Sequence, residues 1–153
     1  MARAYAYIGP AELRARASAT SQPAPAVASA RDLAALGEPI LTFVVTPDGA
    51  LRVAPRRSEH VACAGGQDVL AAGELFVSPA TGAVTGASNL STGYCPAPAC
   101  WAALAAALDH AGIAHPATWT HAFEFRRCDA CGERNLIKDD HYVCAICDAD
   151  LSH

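Results

Sequence analysis

No stretch of this chain approaches the roughly eighteen consecutive apolar residues that a membrane-spanning helix needs. The N-terminal run MARAYAYIGP also lacks the basic segment followed by an apolar one that marks a secretory signal. A cytoplasmic protein with no membrane partner is the expectation. Large side chains are scarce as well: apolar residues make up 52% of the sequence but aromatics only 7%, and much of the remainder is alanine, which buries little area. One modest core, carried by few large residues, should follow. Lysine and arginine are missing from residues 58–123, which hold four acids. Residues 1–57 carry seven arginines against Glu12, Asp32, Glu38 and Asp48, and residues 124–153 carry seven acids against four bases. Phosphate neutralisation supplies most nucleic-acid affinity, so a chain of net charge −4 without a concentrated basic stripe disfavours a nucleic-acid partner.

Cysteine is plentiful, with seven in 153 residues. In a secreted chain that count would point to disulfides; without a signal segment it points to metal.

Local patterns outline the larger part of the chain. Residues 2–8 alternate small or polar with larger side chains and suit a short strand, ended by Gly9 and Pro10. Proline also fits the entry to a short helix over 11–17. Residues 18–30 (SATSQPAPAVASA) bring little to bury and read as a flexible loop. Residues 40–46 (ILTFVVT) are β-branched and aromatic, and Pro47, Asp48 and Gly49 turn the chain into a second strand at 51–53. A further hairpin pairs 68–77 with 84–87 across the turn at 78–82. Trp101, Leu104 and Leu108 recur at helical spacing within 99–111, and Gly112 stops that helix, which should lie on the sheet. A strand over 119–127 leads into the C-terminal segment.

That segment carries two Cys-x-x-Cys turns: Cys128 with Cys131, and Cys144 with Cys147. Each turn can present two sulfurs from a tight loop, and four sulfurs complete a tetrahedron around one zinc ion. Twelve residues separate the inner cysteines, enough for two short strands at 135–138 and 141–144. The motif CDACG…CAIC resembles the zinc-ribbon family over residues 128–147, and the resemblance implies two knuckles at the end of a β-hairpin. Four thiolates leave no coordination position open, so the site should be structural. Arg126, Arg127, Arg134 and Lys138 are the bases that could offset its negative charge. A redox-active dithiol pair is the competing reading.

Residues 59–96 resemble a domain of plant calmodulin-binding IQ-motif proteins and of bacterial effector-like proteins, whose pattern runs HSSFLAGG, AAG, then SGHYxP before a helix. The matching residues are Ala64, Gly65 and Gly66; Ala71, Ala72 and Gly73; and Ser91, Tyr94 and Pro96, and the likeness extends in element order over 40–112. Glu59, His60 and Val61 stand where the family has His-Ser-Ser, and Thr92, Gly93 and Tyr94 where it has Gly-His-Tyr. The resemblance thus implies a fold and carries over no polar chemistry.

Other constellations compete for function. A deaminase pattern fails, because Ala72 stands two positions before Glu74 and Cys95 and Cys100 lack the required spacing. Cys63, Cys95, Cys100 and His60 could form a second metal site, but nothing in their spacing encodes one, and free cysteines are usually small buried hydrophobes. The expected architecture is α+β: an antiparallel sheet with one covering helix over residues 1–123, plus a zinc ribbon over 124–153 holding one structural zinc. The expected function is a non-catalytic binding or regulatory module for a protein or small ligand. The alternative is a group-transfer or hydrolytic enzyme with a site around His60, Glu74 and Tyr94.

Overall fold

The computed structural model of the chain describes residues 3–20 and 22–153. Ala2 of the expected first strand and Ser21 of the expected loop lie outside the described residues. The elements run α1 (Ala11–Thr20), α2 (Ala30–Ala35), β1 (Ile40–Val45), β2 (Leu51–Pro55), α3 (His60–Cys63), β3 (Ala71–Val77), β4 (Val84–Ser88), α4 (Trp101–His110), β5 (Glu124–Arg127) and β6 (Arg134–Ile137). The fold is α+β. Four antiparallel strands form a sheet in the order β2-β1-β3-β4, and β5 and β6 form a separate antiparallel pair.

The hydrophobic run at 40–45 becomes the central strand because both of its faces can be covered. Leu41, Phe43 and Val45 alternate onto one face, where Phe43 stacks on Trp119 at 6.4 Å and Trp119 meets Trp101 of α4 edge-on at 5.0 Å. Leu104 and Leu108 of α4 are fully buried there. Thr42 faces the other way, and its hydroxyl donates to the carbonyls of Arg56 (3.0 Å) and Ser58 (3.3 Å). Those bonds lay the loop before α3 over this second face, and α1 packs on α3. The sequence reading gave the sheet one covering helix; α4 is that helix, and α1 with α3 adds a layer opposite.

Residues 22–28, expected to wander, are tied to the body. The Ala24 amide donates to the Cys63 carbonyl (2.9 Å) and the Val27 amide to Leu51 (2.8 Å), while Ala26 bridges Arg52 along the outer side of β2. Arg52 also donates to the Ala24 carbonyl at 2.7 Å. This order comes from backbone hydrogen bonds, which a segment without large apolar side chains can still make. The outer side of β4 is occupied too, by the amides of Thr120 and His121 on the Ala87 carbonyl at 2.8 and 3.3 Å. Among the described residues, the first expected strand shrinks to a single bridge between Tyr5 and Val69.

The C-terminal hairpin differs from expectation. β6 pairs with β5, Arg127 opposite Arg134, and not with residues 141–144. Residues 142–144 are engaged elsewhere: the Tyr142 carbonyl accepts from the Leu151 amide (2.9 Å), Val143 bridges Asp150, and the Cys144 amide donates to Ala149 (2.8 Å). Two clusters of buried side chains result, a large one in the body and a small one of Cys128, Cys144 and Leu151. Asn89 ties the body to the chain entering β5 by pairing its side-chain amide with the backbone of Phe123, donating at 2.9 Å and accepting at 2.7 Å.

Candidate metal centre

The two Cys-x-x-Cys turns fold alike. The Cys128 amide donates to the Glu133 carbonyl and the Cys144 amide to Ala149, both at 2.8 Å. The Gly132 amide donates to Cys128 (2.8 Å) and the Asp148 amide to Cys144 (3.0 Å). Each turn leaves its second cysteine through a left-handed residue, Gly132 at φ 78 and Asp148 at φ 62. Glycine takes that conformation freely, and aspartate is among the few side chains that tolerate it.

This repeated backbone brings all four Sγ atoms within 4.8 Å of one another. Cys128 Sγ lies 3.6 Å from Cys147 Sγ, and Cys131 Sγ lies 3.6 Å from Cys144 Sγ. A tetrahedron with metal–sulfur bonds of about 2.3 Å has edges of about 3.8 Å, so these separations suit four ligands on one ion. Disulfide sulfurs would sit about 2.05 Å apart, and all four cysteines are free.

Hydrogen bonds divide the four sulfurs into two kinds. Cys128 receives the amides of Cys131 and Ala130, the first of which most strongly lowers its thiol pKa. Cys144 receives the Cys147 amide, the Asn135 side chain and the Ile146 amide, which hold its thiol down to about 6. At Cys131 the single Glu133 amide is outweighed by desolvation and the neighbouring sulfurs, which push the thiol up to about 12. Cys147, with only the Ala149 amide, is likewise raised, chiefly by Cys128. Four sulfurs this close cannot all ionise without a cation between them, and a soft, tetrahedral donor set fits one divalent ion.

Asn135 is the functional residue that sequence reasoning missed. Almost fully buried, it donates to Cys144 Sγ at 3.5 Å and to the Glu133 carbonyl at 3.3 Å, and accepts from the Ala145 amide at 2.9 Å. It clamps the second turn to β6. Of the four bases expected to offset the site's charge, the three arginines bond elsewhere: Arg126 to Glu124 and Ser152, Arg127 to the Gly132 carbonyl, and Arg134 to the Thr92 carbonyl of the body.

Comparison with protein-family models, curated proteins and solved structures finds no match. The likeness of residues 40–112 to the IQ-motif and effector domain therefore rests on its short motifs alone.

Of the other expected site residues, the structure brings two together. His60 Nε2 donates to the Gly73 carbonyl at 2.8 Å, beside Glu74 on β3. Burial pulls the imidazole pKa below its ordinary value, against the Gly73 carbonyl and the Glu59 and Glu74 carboxylates. Glu74 accepts from the Ser88 hydroxyl at 3.2 Å and pairs with Arg56 at 3.7 Å. Arg56 in turn lines a cleft of about 530 Å³ with Glu38, Pro39, Ile40 and Arg57. Tyr94 is occupied elsewhere: 2% exposed, it packs edge-on against Tyr7 and donates its hydroxyl to the Gln67 carbonyl at 2.6 Å. Cys63 and Cys100 are buried in the body, where desolvation pushes both thiols up to about 12.

Proposed function

We propose that this chain is a zinc-stabilised, non-catalytic binding module. In this reading residues 1–123 form the recognising body and residues 124–153 a zinc ribbon that holds one structural ion. The observation that carries it is the closed set of four sulfurs, all within 4.8 Å, which leaves no ligand position for water or substrate. Thiolates favour zinc over hard cations such as magnesium or calcium. Free thiols at this density also fit a reducing, cytoplasmic setting. The partner, a protein or small molecule, would meet the body where Glu74 pairs with Arg56 at the cleft.

One observation favours a hydrolytic or group-transfer enzyme instead: a neutral imidazole lies beside a hydrogen-bonded carboxylate. Tyr94 gives that reading no help, since its hydroxyl is already committed.

Metal analysis of protein purified under reducing conditions tests the leading reading. About one zinc per chain is expected, with most of it lost in Cys131→Ser. Protein that is folded in the ribbon and free of zinc would refute it.

A further inference from the structure

We propose that the two outer sulfurs, Cys131 and Cys147, form an oxidant-sensitive modification site whose oxidation dismantles the metal centre. The inference rests on the zinc reading above and adds an order of reactivity among the four ligands.

Exposure sets that order first. Cys128 and Cys144 are 2% and 0% exposed, whereas Cys131 and Cys147 are exposed. Hydrogen bonding sets it again. Cys128 accepts from the Cys131 amide at 3.5 Å, and Cys144 from the Ile146 amide at 3.4 Å and the Asn135 side chain at 3.5 Å. Each donor withdraws charge from sulfur, so the less-bonded sulfurs are the better nucleophiles. The accessible and the nucleophilic pair are therefore the same two residues, one from each turn. Their sulfurs lie within 4.8 Å, and the disulfide requires that gap to close to about 2.05 Å.

The oxidant is a hydroperoxide. One thiolate attacks the terminal peroxide oxygen, the O–O bond breaks, and the remainder leaves as hydroxide or alkoxide, giving a sulfenic acid. The second thiolate attacks that sulfur and expels hydroxide, forming the disulfide. Two sulfurs lose two electrons in all, the peroxide gains them, and two protons convert the leaving anions to water or alcohol. Only Cys128 and Cys144 then remain as donors, too few to hold the ion. The ribbon buries little else, with Leu151 as the other member of its core, so residues 124–153 loosen, and with them the bond from Arg134 to Thr92.

The test adds hydrogen peroxide stepwise to the zinc-loaded protein. Released zinc is read with a chromogenic chelator, and each cysteine is mapped by differential alkylation and mass spectrometry. Cys95→Ala serves as the background, removing the accessible thiol of the body. Zinc release should match, mole for mole, a Cys131–Cys147 disulfide, with Cys128 and Cys144 still open to alkylation; dithiothreitol with added zinc should restore the starting state. Retained zinc, modification spread evenly over the four ligands, or disulfides formed within a single turn would overturn the inference while leaving the zinc reading intact. Protein that carries no zinc before peroxide is added would overturn both.

Discussion

Asp148 and Gly132 hold equivalent left-handed positions after the two cysteine turns, at φ 62 and φ 78, yet only glycine does so without steric cost. Replacing Gly132 with Ala should destabilise the zinc-loaded ribbon by about 1 kcal/mol or more, while Asp148→Gly should be neutral or stabilising by up to about 1 kcal/mol. Competition with a graded chelator series would rank the variants; Asp148→Gly loosening the metal more than Gly132→Ala would contradict the equivalence. Gly73 is constrained differently, because a Cβ there would overlap the carbonyl oxygen of Ser88 on the paired strand. β3 is held between β1 and β4, and β4 is backed on its outer side by Thr120 and His121, so Gly73→Ala should cost roughly 3 kcal/mol, the upper range for overpacking, read from urea midpoints. His115 supplies the pH dependence. Its Nε2 meets Asp109 at 2.7 Å and its Nδ1 the Pro116 carbonyl at 2.6 Å, so both partners accept and the doubly protonated ring satisfies both. Desolvation alone would lower its pKa, but the Asp109 and Pro116 bonds outweigh it and raise it. A folded pKa above the unfolded value of about 6.5 gives stability that is complete below that value and fades as pH rises through the folded one. The stability gap between wild type and His115→Gln should therefore be larger near about pH 5.5 than near about pH 8. An unchanged gap would show that folding leaves the ring's pKa where it stands in the unfolded chain.

Among the elements, those legible in the sequence were those with large apolar side chains at a clear period. β1 shows it in Leu41, Phe43 and Val45, and α4 in Trp101, Leu104 and Leu108. The four residues of α3 are too few to display a helical period, and the docking of residues 22–28 depends on main-chain amides that side-chain patterns do not record. The cluster of four cysteines was legible because cysteine spacing reflects the turn directly. Asn135 was not, since its role exists only once β6 and the second turn have met. The pairing of β5 with β6 was missed for a related reason: each cysteine turn closes on its own flanks, so the chain between the turns does not form the hairpin. In the proposed zinc reading such a segment would draw its folding energy from the ion, worth roughly 10–16 kcal/mol in small zinc modules, whereas the body has its own core. On chelation, amide hydrogen exchange should deprotect residues 126–150 well before residues 40–110. Simultaneous loss would mean that the Asn89 clasp on Phe123 makes the two clusters one cooperative unit.

At the scale of the whole molecule, charge argues against a polyanion partner. The seven arginines of residues 1–57 are partly spent within the fold, Arg52 on Asp48, Arg14 on Asp68 and Arg56 on Glu74. Binding to DNA or RNA should therefore be weak and fade as salt approaches physiological levels; a dissociation constant below about a micromolar under those conditions would contradict this. The sheet has a further consequence for behaviour at high concentration. An uncovered rim strand is a template onto which another chain can add. Here residues 24–28 lie along the first half of β2, and its far end is Pro55, which has no amide hydrogen to offer. Residues 114–121 occupy the other rim. A stretch as β-prone as ILTFVV sits between them in the interior, so the segment best suited to seed fibrils is the one a neighbouring molecule cannot reach until the sheet itself has opened.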